Sequence, residues 1–475
     1  MKTLGGKLLR SSGAATFSQV WRIGVTLITH ALLRRLVPES DWGAWQWAVD
    51  FLFVILAQVR DVGLPAQLVR DEERPYGSFL RVEVIWGGAL AVILFFAAPW
   101  LAKTGPDGSP NLVPVLWGLL IFFVIEGLGK VPLTFFEAEI RIDRVLVPEL
   151  VRNLFFAVTA VGLAWIWGLG IYSMLIAHVG AAAVFTGMLW QRALKDGMPM
   201  TRAQGGAWRL VRRSLHLMPL AIVILAIDVV DLQLMASSFK SAEVGIYGAA
   251  LTLALLTTRA LEYPLRRALY PAFVAVRETP ERYFEVYRLA TIFLMSVHGI
   301  AAGLLYINAQ LVLTIYGSGR YIAAVPYLEL LCLVPLVQPF ARCAEDVLLP
   351  RHEEYLLTAS YVLNLISLCF FGLFLIDAVG SRGMALAKLL PLGSLVLAWA
   401  VHRIAPRGFW RLSADLVVVY GIGVALFGSA LYLAGDLVWL RLVLSGLAAG
   451  LALLAYWHLY GDKVQDLLQR QLAKI

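Results

Sequence analysis

The sequence predicts an all-α integral membrane protein, with about 14 transmembrane helices forming two parallel six-helix lobes around a central cavity and two further helices at the C-terminus. Three observations carry that expectation. The 475 residues are 60% hydrophobic and only 15% charged, too apolar for a soluble multidomain chain. Apolar segments of spanning length recur from residue 13 to residue 460. Short motifs at the start of one helix also recur about six helices later, and six crossings return the chain to the same side of the membrane.

The crossings are expected near 13–36, 41–64, 80–102, 111–135, 145–168, 171–191, 210–236, 243–265, 287–310, 322–348, 355–377, 381–404, 412–434 and 438–460. The first begins with a basic stretch. Its apolar run is interrupted by Arg22, is longer than a signal-peptide core and has no convincing cleavage site, so it reads as a retained helix. The domain division expected is 1–205 for the first lobe, 206–408 for the second and 409–475 for the added helices and tail. Connecting turns such as Gly105-Pro106-Asp107-Gly108-Ser109-Pro110 are short and leave no room for a soluble catalytic domain.

Positive charge follows the loops. One alternate set holds Arg70, Arg74, Arg141, Arg144, Arg192, Lys195, Arg209, Arg212, Arg266, Arg267, Arg277, Arg403 and Arg407, and the other set holds few cations. Positive loops remain cytoplasmic, so both termini are expected there. The net charge of +8 is then a topology signal and no argument for nucleic acid, which needs a basic solvated surface. Cys332, Cys343 and Cys369 fall within spans without metal-ligand spacing, so neither a disulfide nor zinc is expected. No GxSxG, HExxH or P-loop pattern suggests catalysis, and no cofactor is implied.

The internal repeat rests on two pairs of motifs. Asp41-Trp42-Gly43-Ala44-Trp45 opens the second helix and Glu243-Val244-Gly245-Ile246-Tyr247 opens the eighth. Gly168-Leu169-Gly170-Ile171-Tyr172 at the sixth helix is similar to Val379-Gly380-Ser381-Arg382-Gly383 at the twelfth.

Charges inside the spans mark candidate sites, because a charge at the centre of a spanning helix costs roughly 2.5–3.5 kcal/mol on insertion scales and persists only when facing protein or water. Gln19, Arg22, Thr26 and Thr29 recur at steps of three and four residues on one side of the first helix. That stripe is expected to line a polar cavity. Arg22 either meets an anionic ligand there or pairs with an acid such as Asp50. His30 reads as a satisfied interface residue. Arg60 and Asp61 end the second helix and Arg259 and Glu262 occupy a similar place in the eighth; they are either a charged gate or interfacial anchors. Glu126 and Lys130 are spaced to pair on one helix face. Asp228 and Asp231 share a face of the seventh helix and are either an ion-coupling pair or hydrated carboxylates. Pro335 and Pro339 flank Gln338 and precede Arg342, Glu345 and Asp346, giving either a kink whose freed carbonyls line a cavity or a static bend. Arg152, Asn153, His178, His298, Asn364 and Lys388 are further polar groups within spans, with Lys388 the candidate most exposed to cargo.

The chain resembles the Wzx-type flippases, the polysaccharide-transporter branch of the multidrug/oligosaccharidyl-lipid/polysaccharide exporter superfamily. The resemblance is carried by Leu36-Val37-Pro38-Glu39-Ser40-Asp41-Trp42-Gly43, Asp61-Val62-Gly63-Leu64-Pro65-Ala66-Gln67, Phe136-Glu137-Ala138-Glu139-Ile140-Arg141-Ile142-Asp143-Arg144 leading into Glu149, and the stretches from Asp228 to Ser238 and Glu243 to Tyr247. It implies alternating access across a bacterial inner membrane. The implied cargo is an oligosaccharide on a polyprenyl pyrophosphate, flipped for surface polysaccharide synthesis, with membrane lipids and the polymerase and chain-length machinery as partners. The polar groups within the spans give the candidate cargo contacts as Arg22, Gln19, Thr26, Arg60, Arg259, Gln338, Arg342 and Lys388. The competing readings are a drug/cation antiporter of the same superfamily, which generally stops at twelve helices and often carries an acid in helix one, and a membrane-embedded polymerase or ligase.

Overall fold

The computed structural model describes residues 4–61, 63–70, 74–106, 112–139, 141–203, 206–215, 218–256, 280–317, 319–340, 348, 354–404 and 406–472. Arg259 and Arg342, together with Glu262, Cys343, Glu345 and Asp346, lie outside the described residues. The described chain is helical throughout and contains no strand. The principal helices are α1 (Leu4–Leu36), α2 (Glu39–Asp61), α3 (Tyr76–Thr104), α4 (Leu112–Ala138), α5 (Asp143–Trp167), α6 (Ile171–Lys195), α7 (Met218–Ser238), α8 (Ser241–Leu256), α9 (Pro280–Ile307), α10 (Ile322–Val337), α11 (Glu354–Val379), α12 (Gly393–Ile404), α13 (Pro406–Ala434) and α14 (Val438–Leu472). Among the described residues, nine helices contain a segment long and apolar enough to cross a bilayer. Mean hydropathy over their apolar windows reaches 2.3, and many of these windows are less than one-third buried by protein. An apolar helix that leaves its side chains uncovered is suited to lipid rather than water.

Two compact units divide the chain, Met1–Gly248 and Ala249–Ile475. In the first, α6 packs against both α4 and α5, α1 lies along α5, and α7 packs on α2. A core of Leu64, Tyr76, Phe79, Phe135, Phe136, Phe185 and Leu189 closes one end of this unit. In the second unit, α9, α13 and α14 pack together around Tyr283, Tyr287, Met295, Leu416, Val419, Phe427 and Tyr456.

The repeat motifs serve as helix junctions. Gly168 adopts φ +63° and Gly380 adopts φ +71°, so each ends a helix in the left-handed conformation that an L side chain disfavours. Their amides close back on Ala164 and Ile376. Asp41, the acid of the other motif, accepts a hydrogen bond at 3.0 Å from the amide of Ile171 at the start of α6. An acid at a helix N-terminus satisfies one of its unbonded amides and complements the helix dipole.

Two expected crossings are interrupted. The segment 381–404 is helical over Arg382–Ala387 and again over α12, with Pro391 between. Proline has no amide hydrogen to continue the ladder. Asn364 of α11 accepts from the Gly393 amide at 2.7 Å, while Ser360 donates to the Gly393 carbonyl at 2.8 Å. These side chains replace the backbone partners that water would otherwise supply. Among the described residues of the expected 322–348 crossing, the α-helix over Val325–Leu331 gives way to a 3₁₀ turn at Val334–Val337. Pro339 removes the donor that would meet the Leu336 carbonyl, and the Tyr420 hydroxyl donates to that carbonyl at 2.7 Å instead.

Candidate functional site: a polar cavity in the N-terminal unit

The stripe on α1 borders a cavity. A space of about 180 Å³ is lined by Thr26, Thr29 and His30 of α1, Trp42, Trp45 and Asp50 of α2, Arg152, Asn153 and Phe156 of α5, and His178 of α6, with Val25, Val49 and Ala181. Its walls are unusually aromatic. Trp45 meets the His178 ring edge to face at 5.5 Å, Phe156 does so from another side at 5.9 Å, and Trp42 meets His30 at 5.1 Å. Asp50 belongs to a π-helical turn, Trp47–Phe53, which changes the register of α2 across the membrane. Such widened turns recur at functional sites because they redirect side chains off the regular helical stripe.

Below Thr26, about one turn closer to the N-terminus of α1, the exposed Arg22 donates to Gln19, whose side chain is buried. The acid pairing open for Arg22 is not made: among the described residues no ion pair joins it to Asp50 or to another carboxylate. Glu149 of α5 instead accepts from Ser18 on the neighbouring face of α1. Arg152 stands within electrostatic range of Arg22, Glu126 and Glu149, and its guanidinium lies over the Phe185 ring at 5.1 Å. Two guanidiniums on adjacent helices therefore share one polar region within the membrane-spanning unit. Glu126 and Glu149 each act on Arg152 more strongly than Arg22 does, so the region holds both signs of charge, and its guanidinium forks are the groups suited to phosphate oxygens.

The remaining expected site residues fall elsewhere. Arg60 is 1% exposed and its donors are committed: Nη1 to the Phe123 carbonyl at 2.6 Å, and Nε and Nη2 to Asp61. That geometry is neither a snorkelling anchor nor an open cavity cation. Lys130 pairs with Asp61 at 3.2 Å and Glu126 with Arg60 at 3.5 Å, so the local pair expected along α4 is replaced by pairs across to α2. Asp231 is fully buried and accepts at 2.6 Å from the Tyr247 hydroxyl and at 3.0 Å from the Leu232 amide, while Asp228 is exposed. Gln338 is half-buried just past α10, and Lys388 is half-buried at the break before α12. Arg152 and His178, which spacing alone grouped with generic interhelical polar residues, are the principal additions to the cavity. A sequence signal for them existed only as isolated polar positions in α5 and α6, whose alignment with the α1 stripe depends on helix packing.

Comparisons with known proteins agree with this architecture. A lipopolysaccharide biosynthesis protein, WzxC of Escherichia coli (strain K12), is 21% identical over 354 residues, spanning 71% of this chain and 68% of the relative. Among solved structures, a lipid II flippase MurJ in an inward closed conformation superposes with a TM-score of 0.73 at 13% identity, covering 96% of this chain and 99% of that one. An inward-facing multidrug resistance MATE family transporter of the MOP superfamily gives a TM-score of 0.63 at 14% identity, with coverage of 84% and 96%. At these identities the structural likeness establishes a shared transporter fold. The family described as "Polysaccharide biosynthesis protein" matches residues 32–326, more than half of the sequence and the stretch that contains the α2, α5 and α6 walls of the cavity, and the chain belongs to that family.

Proposed function

We propose that this protein is a flippase that moves polyprenyl-pyrophosphate-linked oligosaccharides across the bacterial inner membrane by alternating access, for surface polysaccharide biosynthesis. The observation that carries this reading is the pairing of Arg22 and Arg152 beside an aromatic cavity. A forked guanidinium suits phosphate oxygens, and aromatic faces suit the apolar faces of sugar rings. The prenyl chain remains in lipid, and the uncovered apolar surfaces of the spanning helices suit that medium. The basic loops support cytoplasmic termini, and in this reading cargo enters from the cytoplasmic leaflet and leaves to the outer one, where a polymerase and chain-length machinery would receive it.

Arg22→Ala and Arg152→Ala, expressed in a strain lacking the native protein, are each expected to reduce surface polysaccharide at least tenfold, because a hydrogen bond to a charged group contributes about 1.5–3 kcal/mol. Arg→Lys at either position should retain part of the activity, since charge remains without the bidentate fork. Normal polymer with both alanines present, at matched membrane protein levels, would remove the cavity from the transport path.

A further inference from the structure

One charge-rich region of the N-terminal unit has no assigned task. Arg60 and Asp61 of α2, Glu83 of α3 and Glu126 and Lys130 of α4 form a continuous cluster, with Arg60–Asp61 at 3.0 Å, Arg60–Glu83 at 3.3 Å, Arg60–Glu126 at 3.5 Å and Lys130–Asp61 at 3.2 Å. Two cations therefore face three carboxylates. The side chains of Arg60 and Glu83 are each 1% exposed. In so dry a place an uncompensated negative charge costs several kcal/mol even after relaxation, on the order found for buried ions generally.

The hydrogen bonds locate the imbalance. Arg60 directs its donors to Asp61, Glu126 and the Phe123 carbonyl. Both carboxyl oxygens of Glu83 are buried without a hydrogen bond, although one lies in ionic contact with Arg60. An ionised carboxylate requires donors to offset its lost hydration, whereas the neutral acid forgoes that charge cost. The pocket is also shaped for this group. A Cβ on Gly127 would lie 2.7 Å from Glu83 Oε2 and 3.2 Å from Arg60 Cδ, so a side chain there would displace the carboxylate from its present position. Glu83 begins a second π-helical turn, Glu83–Gly87, which sets its direction away from the ordinary stripe of α3.

We propose that this cluster binds one exchangeable proton on Glu83 and transmits its charge state to the cavity through Glu126 and Arg152. The proton comes from water and converts one carboxylate to a carboxylic acid, leaving the cluster neutral. Of the groups facing Glu83, Asp61, Glu126, Arg60 and Lys130 supply the charge, and α6 contributes the neutral Thr186 beside α4, whose hydroxyl donates to the Ile125 carbonyl. Glu126 is shared: it pairs with Arg60 and also acts electrostatically on Arg152. An anion at Arg152 draws on the charge that otherwise attracts Glu126, returns that carboxylate to the cluster, and so favours proton uptake. Linkage makes the converse equally true, and protonation strengthens anion binding. This coupling rests on the proposed anion-binding role of the cavity; the proton site itself does not.

The test has two arms on the full-length protein in nanodiscs. Infrared difference spectra across a pH jump without cargo should show a protonated-carboxyl band in wild type that is absent in Glu83→Gln and retained in Glu126→Gln. Calorimetry with inorganic pyrophosphate, in buffers of different ionisation enthalpy, should show about one more proton taken up by wild type than by Glu83→Gln. Glu126→Gln should bind pyrophosphate but lose that excess. A band unaffected by Glu83→Gln, or a cluster filled by sodium with Glu83 ionised, overturns the proton site. Equal proton uptake by wild type and Glu83→Gln overturns the coupling. Failure of pyrophosphate to bind any variant counts against the flippase site instead, and the infrared result still decides whether Glu83 carries the proton.

Discussion

At the scale of single residues, the sequence identified which positions were anomalous but not what each anomaly meets. Gly43 and Gly245 illustrate the difference. Their motifs indicated a repeat, and the structure packs the two against each other: a Cβ on Gly43 would lie 1.8 Å from the Ser241 carbonyl oxygen, and one on Gly245 would lie 2.2 Å from the Glu39 carbonyl oxygen. Arg34 reinforces this contact by donating to the Gly245 carbonyl at 3.3 Å while its guanidinium lies 4.3 Å over Trp42. Replacing glycine by alanine ordinarily stabilises a helix interior by about 1 kcal/mol. At Gly245 the sign should reverse, because overpacking against backbone costs typically 1–3 kcal/mol. Thermal unfolding in detergent is expected to show Gly245→Ala several degrees below wild type. Gly88→Ala, at a helical glycine with nothing within 4 Å of its added Cβ, should match or exceed wild type. Equal behaviour of the two variants would mean that the close approach contributes nothing to stability.

At the scale of elements, apolar length located the helices well, while their interiors were harder to read. Hydropathy sums over a window and therefore cannot register a break whose polar backbone is satisfied by a neighbour. The interruption between Ala387 and Gly393 depends on Asn364 and Ser360, about one turn apart on α11. Similarly, Glu126 and Lys130 were spaced for each other along α4 but are drawn to α2, because Arg60 and Asp61 lie opposite at the level where α2 and α4 meet. Local spacing states which pairs are possible, and packing selects among them. The break permits a specific prediction. Asn364→Ala leaves the Gly393 amide without its acceptor in buried surroundings and should destabilise the protein by about 1–3 kcal/mol. Ser360→Ala, which removes one donor from a carbonyl, should cost less, about 0.5–1.5 kcal/mol. The order of the two unfolding temperatures checks the account, and a larger loss from Ser360→Ala contradicts it.

At the scale of the whole molecule, the fold class was readable because a bilayer imposes length and apolarity on every crossing, whereas the cavity was only half readable. The α1 stripe at Gln19, Arg22, Thr26 and Thr29 carried its own periodicity; Arg152 and His178 carried none and became part of the site only through the packing of α5 and α6. The C-terminal helices show the same limit. Sequence repetition ends before α13, which suggests an appendage, yet α13 and α14 contribute to the same core as α9. Phe427 fills the space beside Gly303, the Tyr456 hydroxyl donates to the Val419 carbonyl at 2.9 Å, and Asp415 accepts from Arg288 at 2.6 Å and from Tyr460 at 3.2 Å. Removing both helices would uncover the Tyr283, Tyr287 and Met295 face of α9 and leave Arg288 with Glu285 alone among its present acidic partners. Truncation before Pro406 is therefore expected to abolish a monodisperse species in size-exclusion chromatography of membrane extracts. Arg288→Ala, which leaves the apolar core intact, should retain that species with a lowered unfolding temperature. A stable, monodisperse truncated protein would show that α9 can cover this face by itself, and that the last two helices are separable from the second unit in folding as well as in sequence.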